Sequence, residues 1–186
     1  MSTFPLPEQN RGGPERNRLA PPIDRWAAED VSLELALPGA QEVLRAAPLT
    51  RLAYTGRDGC PRVIPIGFWW DGTRVTVCTA ATAPKVKALT SRSEVALTID
   101  TGSTPAEARS LLIRGTATVE IVEGVPDEYI VAAGKSLDDA QRREFAEHVR
   151  CIYSHMTRIS ITPRWARFFD FGAGRLPAFL RELTSN

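Results

Sequence analysis

Residues 51–79 read RLAYTGRDGCPRVIPIGFWWDGTRVTVCT, and this stretch decides the fold. The run Arg51–Thr55 stops at Asp58-Gly59, and Pro61–Trp70, with Val63, Ile64, Ile66, Phe68 and Trp69, follows at once. Asp-Gly between two apolar runs signals a hairpin, because a tight turn needs a residue that tolerates positive φ. A second such pair, Asp71-Gly72, leads into Arg74–Thr79. The spacing predicts three antiparallel strands in a meander.

Outward from this core the elements stay short. Ala40–Ala47, entered through Pro38-Gly39 and stopped before Pro48, reads as a helix with Val43 and Leu44 facing inward. Thr82–Ser91 reads as a second helix, Glu94–Asp100 as a strand, and Ser110–Val122 as a long strand in which Gly115 marks a bulge or bend. Residues 126–156 turn helical: Asp127–Ala133 is short, and a longer amphipathic helix starts at Ser136 by a Ser-x-x-acid cap, with Phe145, Val149, Ile152, Tyr153 and Met156 on its apolar stripe. A last strand, Arg158–Phe171, alternates at Ile159, Ile161 and Trp165 before shifting phase toward Phe169 and Phe171. Six antiparallel strands joined by tight turns and short helices predict a mainly β fold, a six-stranded antiparallel split or closed barrel. A doubly wound parallel sheet needs a helix after nearly every strand, and these are missing.

Residues 1–22 hold five of the 14 prolines and few large apolar residues, so they read as a disordered tail ahead of a single domain over 23–186. Lys and Arg number 23 against 22 Asp and Glu, a formal charge of +1, so composition offers no argument for a nucleic-acid or acidic-membrane partner. No window reaches the ~18 apolar residues of a membrane span, and the N-terminus shows no secretory apolar run; a cytoplasmic location is expected. The cysteines, Cys60, Cys78 and Cys151, are odd in number and widely spaced, which argues for reduced thiols and against a disulfide framework or zinc ribbon.

The familiar catalytic signatures are absent: there is no GxSxG, HExxH, SxxK, Walker A loop or GxGxxG after a strand. Gly172-Ala-Gly174 lacks the third glycine of a dinucleotide loop. His148, Cys151 and His155 would share one helix face, but no fourth ligand is evident, so no metal is expected.

The chemistry concentrates in Cys78-Thr-Ala-Ala-Thr-Ala-Pro-Lys-Val-Lys-Ala-Leu89. Thr82 reads as an N-cap, Pro84 falls in the first turn, where its missing N–H does no harm, and Lys85 and Lys87 follow. Lysines there oppose the helix dipole, so an anion is called for; a phosphate would complement both ammonium groups and the Thr79 and Thr82 hydroxyls. The chain has only three lysines, and two of them are these. The plain alternative is a pair of solvated surface lysines.

The ordered run from Leu52 to Ala117 resembles the pyridoxamine 5′-phosphate oxidase-like, flavin-binding split-barrel family. The shared pattern is strand, DG turn, Pro-containing strand, DG turn, strand ending in Thr, lysine-bearing helix, strand ending in Asp, and a strand with Gly-x-Ala. The resemblance implies a homodimer with two flavin sites at the subunit interface. It places Lys85 and Lys87, helped by Thr79 and Thr82, on the cofactor phosphate. It lays the ring along Val63, Ile64, Pro65 and Ile66, with Cys78, Thr79 and Ala80 on the neighbouring strand. The true pyridoxamine phosphate oxidases carry a lysine at the end of that second strand, where this chain has only Arg62 and then Val-Ile-Pro-Ile. The departure speaks against the vitamin B6 reaction and leaves FMN and the deazaflavin coenzyme F420 as alternatives. Trp69, Trp70 and Trp165 are candidates for the substrate pocket, with core or dimer packing as the competing role; only one of Trp69 and Trp70 can share a face with the site. The expected activity is hydride transfer between the cofactor and a small organic substrate, without a nucleophilic side chain. The alternatives are a non-catalytic flavin- or deazaflavin-binding or sequestering protein, and a barrel that binds no cofactor.

Overall fold

The two Asp-Gly pairs are built as hairpin turns. In the computed structural model, which describes residues 28–184, Gly59 and Gly72 take φ values of 81° and 99°. The Asp58 carboxylate accepts from the Cys60 amide at 3.1 Å and from Arg62 at 2.6 Å. Asp71 accepts from the Thr73 amide at 2.7 Å and the Arg74 amide at 2.5 Å. Each aspartate thereby occupies backbone donors that the ladder leaves over. The expected tail over residues 1–22 lies outside the described residues.

The first turn joins β1 (Leu49–Thr55) to β2 (Pro61–Gly67), and the second joins β3 (Trp69–Trp70) to β4 (Val75–Ala80). The remaining strands are β5 (Glu94–Thr101), β6 (Arg109–Glu123) and β7 (His155–Asp170). All pair antiparallel in the order β2-β1-β5-β6-β7-β4-β3. The two outer strands of that order, β2 and β3, are separated in the chain by Phe68 alone, which is fully buried. The two ends of the sheet are therefore joined through the chain itself, and β2 also contacts β4, which curls the sheet toward a barrel without a ladder between its outer strands. This split barrel has seven strands where six were expected, because Phe68 divides the single strand read over Pro61–Trp70. Its two halves pair with different neighbours, so β2 and β4 do not form the simple meander.

One apolar cluster fills the barrel, including Leu52, Leu97, Ile99, Leu111, Ile113 and Ile161. These residues alternate along their strands with outward-facing ones. Helix α1 (Ala28–Ala36), which the sequence reading did not anticipate, packs on β7. Its buried Glu34 accepts from the Phe168 amide at 2.6 Å and from Arg175 at 2.7 Å on both oxygens. Helix α2 (Pro38–Ala46) buries Val43 and Leu44 as expected. Helix α3 (Pro84–Ser91) packs against β1 and β6, α4 (Asp127–Gly134) lies across β4, and α5 (Asp139–Ile152) packs on α4. A terminal α6 (Ala178–Thr184) was also not foreseen.

Two caps differ from expectation. α5 starts from Asp138 rather than Ser136: Asp138 accepts from the Gln141 amide at 2.8 Å, and the Gln141 side chain accepts from the Asp138 amide at 3.1 Å. This reciprocal box satisfies two donors that a Ser136 start would leave open. The helix then ends at Ile152, so Tyr153 and Met156 leave its stripe, and His155 belongs to β7. His148, Cys151 and His155 therefore do not share a helix face. Likewise α3 is capped by Ala83 with no side-chain bond, so Thr82, which is exposed, is not its N-cap.

The barrel contains one break in register. Between Arg114 and Gly115 the pairing shifts, so that Gly115 faces Pro163, Arg114 faces Trp165, and Arg164 is the extra residue on β7. A Cβ on Gly115 would lie 2.4 Å from the Thr162 carbonyl oxygen, so only glycine fits without movement. Among the described residues no helix is long and apolar enough to cross a membrane.

Candidate functional site

Pro84 opens α3 and places Lys85 in its first turn, where the side chain turns back toward the end of β4. The Lys85 ammonium donates to the Thr79 hydroxyl at 2.9 Å. The group is partly buried, and burial lowers its pKa from the ordinary lysine value. Opposite Thr79 in the β4–β7 ladder stands Thr157, which is fully buried and whose hydroxyl has no hydrogen-bond partner among the described residues. Directly opposed strand residues share a face, so the orphan hydroxyl lies on the same side as the Thr79–Lys85 pair.

Lys87 is exposed. Two residues along a helix correspond to a rotation of roughly 200°, so Lys85 and Lys87 leave different sides of α3. The structure thus unites Thr79 with Lys85 and leaves Thr82 and Lys87 at the surface. Cys78 and Ala80 alternate with Thr79 and face the other side of β4, against which α4 packs. Burial, followed by the nearby Glu128 carboxylate, pushes the Cys78 thiol up to about 12. It is protonated at neutral pH and unsuited to nucleophilic work.

The candidate ring strand is two-faced. Ile64 and Ile66 turn inward against the core, while Val63, 64% exposed, and Pro65 face outward. Only the outward pair can offer side chains to a ligand on the outer face. There, Val63, Ala53, Ala96, Arg114 and Trp165 form one continuous cross-strand row. Above this row lies a cavity of about 440 Å³ lined by its first four residues and by Pro61, Arg62, Arg164, Glu94 and Thr116. Strands β1 and β6, which contribute to its lining, are the two on which α3 rests.

The three tryptophans do not converge. Trp165 lies beneath the guanidinium of Arg114, 4.5 Å from ring centroid to carbon, and is not itself among the residues that line this cavity. Trp70 packs against the core and lines a separate cavity of about 230 Å³ with Val31 and Leu35 of α1. Trp69, its neighbour on β3, faces the opposite way. Sequence reasoning missed Arg114, Arg164 and Thr157. The Gly115 bulge hinted at the first two, but which strand gains the extra residue is a matter of register. Lys135 was also missed: it donates to the carbonyls of Leu44 at 2.9 Å and Ala47 at 3.1 Å and sits 3.5 Å above the Phe68 ring, tying α4 to the end of α2.

The architecture is that of the split-barrel class, and comparisons with known proteins agree. The sequence model of the pyridoxamine 5′-phosphate oxidase family matches residues 39–157, and the chain belongs to that family. Among solved structures, a conserved hypothetical protein from Mycobacterium tuberculosis is 19% identical, covering 82% of this chain and 89% of that one, with a TM-score of 0.54. A protein described as an F420 reductase is 22% identical over 67% of this chain and 94% of its own, with a TM-score of 0.50. The heme storage protein HutZ from Vibrio cholerae is 16% identical over 72% and 93%, with a TM-score of 0.52. At these identities the structures share the fold. A search of curated proteins found no match.

Proposed function

We propose that this protein is a flavin- or deazaflavin-dependent oxidoreductase that moves a hydride between bound FMN or F420 and a small organic substrate, acting as a homodimer. The observation that carries the reading is Lys85. It is a partly buried ammonium whose hydrogen-bond partner is a neutral hydroxyl, and it belongs to none of the ion pairs among the described residues. A desolvated cation without a counter-charge is costly, and an anion such as a cofactor phosphate relieves that cost. The Thr157 hydroxyl on the same side is a further polar group with no hydrogen-bond partner among the described residues.

In this reading Lys85 and Thr79 hold phosphate, and Val63 and Pro65 offer a smooth apolar surface to the ring. The flavin or deazaflavin, when bound, supplies the redox chemistry itself. The protein's part is to bind, orient and exclude water. Leu49 and Val63 are exposed apolar residues on the outer face of β1 and β2, with the Arg51–Asp100 ion pair between them, and a second copy of the chain would cover them. The F420 reductase among the structural relatives and the missing lysine of the true B6 oxidases favour F420 over FMN. We place the protein in the cytoplasm, where its three free cysteines stay reduced.

Fluorescence-quenching titrations with FMN and with F420 test the proposal. Lys85→Met should weaken binding by about 10- to 150-fold, the worth of a charged hydrogen bond. Lys87→Met should cost about fivefold or less, as for exposed charges. Folded wild-type protein that binds neither cofactor refutes the redox reading. Tight binding without turnover by any reductant or acceptor supports the sequestering alternative instead.

A further inference from the structure

We infer that the cavity of about 230 Å³ between α1 and the β3–β4 turn is a second ligand site, and that it takes a small uncharged carbonyl compound whose oxygen accepts from the Trp70 indole N–H. This site is independent of the redox reading, and it shares no lining residue with the cavity above β1 and β2. Trp70 Nε1 is buried and has no hydrogen-bond partner among the described residues. An indole nitrogen can only donate, so an acceptor has to come to it. The ring packs on the apolar core, which offers none, and it forms part of the wall of this cavity. A buried donor left unmet keeps the full desolvation penalty of its N–H, and a ligand oxygen in the cavity relieves it.

The rest of the wall defines the ligand. None of its residues is ionisable, so a charged guest would lose its hydration without meeting a counter-charge, whereas a neutral one avoids that penalty. Val31 and Leu35, both buried on α1, and Pro163 of β7 supply apolar surface for the body of the guest. Two polar members of the wall are oriented by other partners. Gln41 donates from Nε2 to the Leu35 carbonyl at 2.8 Å and accepts from Arg45 at 3.3 Å, and the Thr73 hydroxyl donates to Asp71 at 2.8 Å. Neither of them answers the indole. The volume lies below the ~300–1,000 Å³ of drug-sized sites, so the guest is a single ring or short chain with one carbonyl group rather than a coenzyme. An apolar body with one neutral acceptor is the chemistry of a simple ketone or amide. Bound there, it would touch both α1 and the β3–β4 turn, which are far apart in the chain.

The test compares acetophenone, its isostere α-methylstyrene, in which a methylene replaces the carbonyl oxygen, and the charged analogue benzoate. The readout is the Trp70 indole N–H cross-peak in the NMR spectrum of isotopically labelled protein, identified by its loss in Trp70→Phe. Acetophenone should shift that peak to saturation and bind about 2- to 13-fold more tightly than α-methylstyrene, the net worth of a neutral hydrogen bond. Benzoate at the same concentration should leave the peak in place. In Trp70→Phe, followed through the amide peaks of Val31 and Thr73, acetophenone should fall to the affinity of α-methylstyrene. Ala36→Phe fills the cavity from an exposed position on its wall, so it leaves the core intact and should block both neutral probes; it tests the site even where Trp70→Phe does not fold. Equal wild-type affinities for acetophenone and α-methylstyrene, a benzoate shift as large as that of acetophenone, or undiminished acetophenone binding in Ala36→Phe overturns the assignment. A Trp70 peak that none of the three probes moves means that the cavity holds water alone, and overturns it as well.

Discussion

Replacing Gly115 by alanine probes the bulge on which the outer-face cavity depends. The new Cβ would lie 2.4 Å from the Thr162 oxygen, 3.0 Å from the Thr162 carbonyl carbon and 3.2 Å from a methyl of Ile161. Ordinary contact begins at 3.4 Å, so the worst shortfall is about 1 Å, and it is against backbone rather than a flexible side-chain tip. Ile161 is fully buried, so β7 cannot simply rotate away from the intrusion. Overpacking of this kind costs about 1–3 kcal/mol, and the stiffer unfolded chain of an alanine variant returns about 0.4–1 kcal/mol. The balance is a loss of up to about 2.6 kcal/mol and centred near ~1.3 kcal/mol, the centre corresponding to a fall in Tm of about 3–5 °C for a domain of this size. Thermal denaturation followed by circular dichroism measures it. An unchanged or raised Tm would refute the claim that Gly115 holds the register shift.

The helix that the sequence did not announce gives a second test. Glu34 holds α1 to β7 through the Phe168 amide and Arg175, so Glu34→Gln should speed amide hydrogen exchange over residues 28–36 by about tenfold or more, at a cost of roughly 1–3 kcal/mol, because Arg175 remains partly exposed and can turn to water; unchanged protection in that helix removes the clasp. Lys135 supplies a pH-dependent test. Burial brings its ammonium from 10.5 down to about 8, so between those values the unfolded chain binds more protons than the native one, and wild-type stability gains on Lys135→Met as pH rises from about 8 to about 10.5. The gap corresponds to at most ~3 kcal/mol, which partial exposure reduces to on the order of 1–2 kcal/mol. Denaturant titrations of both proteins at pH 7 and pH 10 read the difference, and parallel stability curves refute the burial argument.

Local chemistry was legible in the sequence. The Asp-Gly turns, Pro84 in the first turn of α3, the inward Val43 and Leu44 of α2 and the special position of Gly115 each follow from the conformational limits of a few adjacent residues, and the ordered set of them pointed to the barrel and its family. Lys85 was legible for the same reason, as a lysine in a helical turn that disfavours it. What only the tertiary structure decided depends on register and closure between residues far apart in the chain. Phe68 splits one apolar run into two strands because the two ends of the sheet are joined there. Asp138 displaces Ser136 as a cap because it can form the reciprocal pair with Gln141. Lys87 parts company with Lys85 because helix rotation sends them to different sides of α3, and Trp69 with Trp70 because strand alternation does the same on β3. Arg114 and Arg164, 50 residues apart and unremarked in an arginine-rich sequence, come together only because one extra residue in β7 reverses the phase of everything after it.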